Sequence, residues 1–112
     1  MKKVVFWGNT RRRLKDFPEE ARREAGHQLR NVQRGDDPDD WRPMQSVCPG
    51  AREIRIHCPH EHRVIFIAQS AEAIYVLHVF EKKTQRTTKK DIDTARRAYA
   101  EIDAERQKSE NH

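Results

Sequence analysis

The sequence predicts an α+β fold: a small antiparallel sheet with an N-terminal helical hairpin and a C-terminal helix, in the order β-α-(α)-β-β-β-α. Three observations lead there. Apolar residues repeat at helical spacing in two separate stretches. Three β-rich runs follow one another with short links. No run of apolar residues reaches the ~20 needed to span a bilayer. The chain has 112 residues, which suits one domain, with a frayed tail expected over about 105–112. The apolar fraction is 35% and the charged fraction 37%, so the core has to be built economically.

"KVVFW" (Lys3 to Trp7) is β-branched and aromatic and reads as a short strand. A short helix over Thr10 to Asp16 then opens the helical hairpin. In "DFPEEARREAGHQLRNVQRG", Pro18 suits a first helical turn, and Glu19 and Glu20 fall where the helix dipole favours negative charge. Ala21, Ala25, Leu29 and Val32 supply the apolar stripe, and Gly35 the stop. The arginines on the other side (Arg22, Arg23, Arg30, Arg34) read as a solvated face. "DDPDD" is a loop that lacks the Gly and the terminal Glu of a calcium loop. "WRPMQSVCPGA" reads as a connector, with Trp41 and Met44 covering the core edge.

"EIRIH" alternates, with Ile54 and Ile56 on one face and Glu53, Arg55 and His57 on the other. "RVIFIAQ" and "AIYVLHVF" are apolar on both faces, as strands covered on both sides are. Short links favour an antiparallel meander. In the last helix Thr88 is the cap, Asp91 completes a capping-box-like pair, and Ile92, Ala95, Tyr99 and Ile102 form the apolar stripe.

The net charge is +5, with a pI near 9.5. Such a balance points to an anionic partner. The two cysteines, Cys48 and Cys58, make no disulfide framework. The apolar run after the basic start ends at Trp7, short of the ~7–15 residues of a signal core. A cytoplasmic location with reduced thiols is expected.

Loop arithmetic gathers a basic surface. A three-residue loop at "CPH" (Cys58 to His60) sets Arg55 opposite Arg63, and a two-residue loop at Ala71-Glu72 sets Phe80 opposite Arg63. Parity adds His78 and Lys82. Facing cations repel unless an anion lies between them; alternatively each arginine pairs with a carboxylate such as Glu53, Glu61 or Glu81. The pattern alone accommodates both arrangements. The chemistry that fits an open cationic face is RNA phosphodiester cleavage. It needs a base for the 2′-hydroxyl, charge stabilisation of the phosphorane and an acid for the 5′ oxygen. Arginine holds phosphate through its fork, histidine titrates near neutrality, and a lysine among cations can have its pKa lowered. Phe80 is a stacking candidate for a base. The other reading of His78 is a strand histidine satisfied by a neighbour. "HCPHEH" holds zinc-ligating residue types (His57, Cys58, His60, His62) at a spacing that matches no standard finger, so it reads as a polar hairpin tip. Neither a metal nor any other cofactor is expected, and the chain has no Gly-rich phosphate loop.

"DDWRPMQSVCPGAREIRI", "HRVIFIA" and "AIYVLHVFEKKTQRTTKKDIDTARR" resemble a HigB-type toxin of the RelE/ParE superfamily, in its phage-derived branch. The resemblance runs from Lys3 to about Arg106. Its most specific part is Leu77-His78-x-Phe80-x-Lys82-Lys83-Thr84-Gln85, with Thr87 and Asp91-Ile92. It implies a microbial-RNase-like fold and the toxin role in a type II toxin–antitoxin system. It also implies mRNA cleavage, commonly in the ribosomal A site, by a site on the concave face of the sheet. The positions that match are Arg55, Arg63 and Lys82, with His78 and Lys83 belonging to this branch. The expected site is therefore Arg55, Arg63, His78 and Lys82 for catalysis, with Phe80, Lys83 and Gln85 on the RNA. The expected partners are a helix-turn-helix HigA-like antitoxin, the ribosome and mRNA, with no membrane. The sequence departs from the pattern at Glu53, where some relatives carry a second cation, which leaves the general base open. Its hairpin tip is also longer and richer in histidine, bringing His57 or His62 into consideration for the site. A gyrase-poisoning toxin of the same fold, or a non-catalytic module that binds nucleic acid or ribosomes, is the alternative.

Overall fold

The computed structural model describes residues 1–68, 73–83 and 86–110. Five strands form one sheet in the order β1-β5-β4-β3-β2. They are β1 (Lys3–Phe6), β2 (Trp41–Pro43), β3 (Ala51–Ile56), β4 (His62–Ile67) and β5 (Ala73–Glu81). The helices are α1 (Thr10–Lys15), α2 (Glu19–Gln33) and α3 (Lys89–Glu110). The α+β architecture with a helical hairpin and a C-terminal helix is as the sequence predicts.

Two features of the sheet correct the expectation. β1 pairs with β5 in parallel, Val5 opposite Tyr75, so the sheet is mixed rather than antiparallel. Local patterning cannot register such a pairing, because everything between the two strands acts as the crossover. The supposed connector also contains β2, antiparallel to β3 with Arg42 opposite Glu53. Three residues are too few to show alternation, and Pro43 is tolerated because the strand lies at the edge.

At the end that carries the arginines the meander β3-β4-β5 forms in the expected register, Arg55 opposite Arg63 and Arg63 opposite Phe80; nearer the β4–β5 turn the pairing is one residue off, Ile67 opposite Tyr75. The β3–β4 loop is five residues, His57 to Glu61, rather than three. It is symmetric about the same centre, so the register is unchanged. The β4–β5 turn at Ala71-Glu72 lies outside the described residues. A shift between the pairs Ile65–His78 and Phe66–Val76 leaves Leu77 as a bulge. The bulge sets Leu77 and His78 on the same face of the sheet, so the two faces of β5 exchange parity there.

Helices cover both faces. Leu14 of α1 and Ala21, Ala25, Leu29 and Val32 of α2 pack on Ile54, Val64, Phe66, Ile74 and Val76. Ala95, Ala98 and Ile102 of α3 pack on Ile65, Ile67, Leu77 and Phe80, with Met44 joining them. β4, at the centre, is buried along its whole length. Pro18 is the N-cap of α2 rather than its first residue. At the other end, Asp36 N–H donates to Asn31 O and Gly35 N–H to Val32 O, with Gly35 at φ 91°. That is a Schellman termination, which only glycine enters without strain. The expected frayed tail is helical as far as Glu110, with Gln107 donating to Asp103 one turn back. Among the described residues no helix is long and apolar enough to cross a membrane.

Phe66 fills the layer between sheet and hairpin with no exposure. Phe66→Ala is expected to reduce the free energy of unfolding by about 3–5 kcal/mol, read from urea denaturation.

Candidate active site

β3 and β4 bring Glu53, Arg55 and Arg63 to the α3-facing side of the sheet, beyond the first turn of that helix. Glu53 is wholly buried. A carboxylate there needs partners that replace water. Arg42 Nε donates to its Oε1 at 2.9 Å, reaching across from β2. Thr87, just before α3, donates its hydroxyl to Oε2 at 2.7 Å and accepts from Arg42 Nη2 at 2.8 Å. Arg63 Nε lies 3.5 Å from Oε1, within ion-pair range but without a formed hydrogen bond.

Arg55 and Arg63 are directly opposed across the ladder. Their carboxylate contacts are long: Arg55 Nη1 to Asp40 Oδ1 at 3.9 Å and Arg63 Nη1 to Glu61 Oε2 at 3.5 Å. The Nε groups of both are buried and have no hydrogen-bond partner among the described residues. Of the two arrangements the sequence allows for Arg55 and Arg63, carboxylate pairing is present but long, Arg63 reaching Glu53 and Glu61 at 3.5 Å; the tight pair is Arg42 with Glu53, which the sequence did not suggest.

Lys82 follows β5 at the same end, its backbone N–H donating to Glu61 O at 2.7 Å. Its ammonium pKa is lowered, first by burial, then by Arg63, with Arg42 and Arg55 adding to the effect and Glu53 opposing it. A lysine so placed gives up its proton more readily than one in water.

His78 and Phe80 hold a different place from the one expected. Phe80 is 6% exposed, and the His78 ring stacks on it at 4.8 Å. The protein's own imidazole thus occupies the face expected to stack on a base. His78 Nε2–H donates to Asp91 Oδ1 at 2.9 Å, and Thr88 Oγ1–H donates to Asp91 Oδ2 at 2.7 Å. Asp91 N–H donates back to Thr88 Oγ1 at 3.2 Å, which caps α3 as the sequence suggests. Burial lowers the His78 pKa, Asp91 opposing and Arg13 assisting. The histidine is thus a hydrogen-bonded strut between β5 and α3, and burial disfavours its charged form. Lys83 is exposed beside the cluster, and Gln85 lies outside the described residues.

The hairpin tip divides. His62 is buried on the opposite face, its ring 4.4 Å from Phe17. His57 stays at the rim of the arginine pair. Among the described residues no three His, Cys, Asp or Glu side chains are placed to hold a metal, and both cysteines are free.

The family model described as phage-derived protein Gp49-like matches residues 12–100, a span that includes every residue of this cluster. The chain belongs to the Gp49-like family. That family is toxin-like, of the RelE/HigB type. No curated protein matches the chain.

In this Gp49-like chain the residues that organise the cluster, Glu53, Arg42 and Thr87, were not among the expected site residues. Glu53 was expected on the Arg55 face only as a possible carboxylate partner, and Thr87 only as part of the family motif. Arg42 was hidden because β2 was read as a connector.

The arrangement makes a directional prediction for Lys82. Glu53→Gln removes the one influence that raises its pKa and is expected to lower that pKa further; Arg63→Ala is expected to raise it. Nitrogen-detected NMR titration of the Lys82 ammonium measures both, and a value unmoved in either variant would separate Lys82 from the cluster.

Proposed function

We propose that this chain is the toxin of a type II toxin–antitoxin pair, a HigB-type endoribonuclease that cuts mRNA on the translating ribosome. The observation that carries the reading is the opposed pair Arg55 and Arg63, with long carboxylate contacts and unpartnered Nε donors, next to a lysine of lowered pKa. A tetrahedral oxyanion held by the outer Nη groups would relieve the cross-strand repulsion, while the shielded Nε groups stay inside, that of Arg63 beside Glu53.

In the proposed reaction the 2′ oxygen of the RNA bonds to phosphorus and the bond to the 5′ oxygen breaks. Lys82, in its neutral form, accepts the 2′-hydroxyl proton. Arg55 and Arg63 stabilise the phosphorane charge. The 5′ oxygen takes a proton from water, leaving a 2′,3′-cyclic phosphate and a 5′-hydroxyl end. Glu53 takes no part in proton transfer here; its oxygens are engaged by Arg42 and Thr87 and it holds the cations from beneath. His78 and Phe80 support the strand that presents Lys82. Lys83 and Gln85 remain candidates for contact with the RNA backbone.

Dependence on the ribosome follows from positioning. Phe80 is covered by His78, which removes the stacking platform expected to orient the RNA. Orientation can supply ~7–11 kcal/mol of a barrier, and a ribosome that already holds the codon extended can provide it. Basic charge also favours docking on ribosomal RNA phosphates. The proposed antitoxin is a helix-turn-helix HigA-like protein whose acidic segments cover the cationic face, with fast, salt-sensitive association.

The test compares naked mRNA with an in vitro translation mix. Cleavage inside reading frames is expected in the mix alone, with Arg63→Ala and Lys82→Ala each slowing it by about 10²-fold or more. Equal cleavage of naked RNA would refute ribosome dependence. No cleavage in either would favour gyrase inhibition or a binding module.

A further inference from the structure

The rim of the arginine pair carries a second arrangement that the proposed reaction does not use. His57 is half exposed at the start of the β3–β4 loop, with a carboxylate at each ring nitrogen. Nε2–H donates to Asp40 Oδ2 at 2.6 Å and Nδ1–H to Glu61 Oε2 at 2.5 Å. Both nitrogens face carboxylates, an arrangement that favours the imidazolium with a proton on each, and the His57 pKa is raised accordingly. The same two carboxylates are the ones that reach Arg55 and Arg63, at 3.9 and 3.5 Å. In the contest for Asp40 and Glu61, His57 holds the short contacts and the arginines the long ones.

We infer that His57 is a positioning residue for the arginine pair: by drawing Asp40 and Glu61 to itself, Glu61 through the same Oε2 that reaches Arg63 Nη1, it keeps both carboxylates from closing on Arg55 and on the largely buried Arg63 and leaves the pair able to take an oxyanion. This rests on reading those two arginines as the phosphate-binding pair.

The balance changes when the ring loses a proton. A neutral imidazole has one N–H and one lone pair. The lone pair repels the carboxylate it faces, and that carboxylate must find another cation. Neither carboxylate can travel far. Asp40 is tied by its carbonyl, which accepts from Arg55 N–H at 2.9 Å, and Glu61 by its carbonyl, which accepts from Lys82 N–H. The nearest cations are therefore Arg55 and Arg63. A carboxylate that closes on either one fills the place of the phosphate and cancels its charge.

The groups facing His57 are Asp40 from the segment before β2 and Glu61 from its own loop, with Arg55 of β3 and Arg63 of β4 behind them. Asp40 is the main cause of a raised His57 pKa; burial opposes it and Glu61 adds to it. The sign follows. The site is open below that raised pKa, where His57 is charged, and closes as pH rises through it.

Inorganic sulfate is a suitable probe, because its charge is constant across this range. Binding is read from the Nε–H NMR signals of Arg55 and Arg63, with a thermal melt reporting the fold of each variant. His57→Gln, which like neutral imidazole is uncharged, is expected to bind sulfate roughly three- to fivefold more weakly than the unaltered chain. His57→Gln combined with Asp40→Asn and Glu61→Gln is expected to recover the affinity, since no carboxylate remains to close on the pair. A merely structural role for His57 would not be rescued in this way. Sulfate affinity of the unaltered chain should fall as pH rises through the His57 pKa. His57→Gln should lack that step while keeping any step due to Lys82. Equal affinity in His57→Gln, or a triple variant as weak as the single one, would overturn the inference, as would absence of sulfate binding at the pair. Loss of mRNA cleavage with this binding pattern intact would strike the nuclease reading alone.

Discussion

A carboxylate sealed from water can stay charged only where cations and hydroxyls replace its solvation. Glu53 is such a group, and the surrounding fold converges on it. β2 delivers Arg42, β4 delivers Arg63, and the approach to α3 delivers Thr87. None of these segments neighbours another in sequence. Each would have fewer reasons to stop where it does without the buried charge. Glu53 also lets cations stand close together that would otherwise repel. With Arg42 as its tight partner, it leaves Arg55, Arg63 and Lys82 only partly compensated, and that excess of positive charge is what the proposed function draws on.

The rest of the sheet holds this face open. Helices cover both sides along most of its area, and at the end beyond Lys89, where α3 begins, Arg55 and Lys82 are half-buried while Glu53 and Arg63 lie beneath the surface. The bulge at Leu77 matters here. It places His78 where Asp91 can reach it, and Asp91 is bound in turn to the cap residue Thr88. One hydrogen-bonded chain thus fixes the start of α3 to β5 immediately before the strand delivers Lys82. His78 and Phe80 contribute rigidity at a point where a displaced helix would cover or abandon the cluster.

Much of this was legible in the residues. Loop symmetry about Pro59 was enough to oppose Arg55 and Arg63, and it survived an error in loop length, because lengthening a loop equally on both sides leaves the register alone. The central position of β4 followed from apolar residues on both of its faces. What stayed hidden was non-local. The parallel β1–β5 pair joins the two ends of the β-α-β excursion and leaves no trace in local period. Arg42 became a site residue only through a three-residue edge strand. The roles of His78 and Phe80 changed because parity gives the face of a side chain but not whether another side chain already covers it.

The carboxylates around the arginine pair act in opposite ways according to depth. Glu53, beneath the cations, is immobile and has its oxygens occupied, so it organises the arginines without competing for the outer space a phosphate would take. Asp40 and Glu61 are at the rim, half exposed, on the side from which a phosphate would approach. In the proposed reading, carboxylates there would compete with the substrate phosphate for the arginines. A cationic site on a small fold must keep such groups occupied or go without them, and going without them would raise an already basic net charge. Pairing both with one imidazolium resolves the conflict locally. In the proposed reading it also makes the openness of the site depend on His57, whose pKa the two carboxylates raise, whereas the arginines keep their charge throughout.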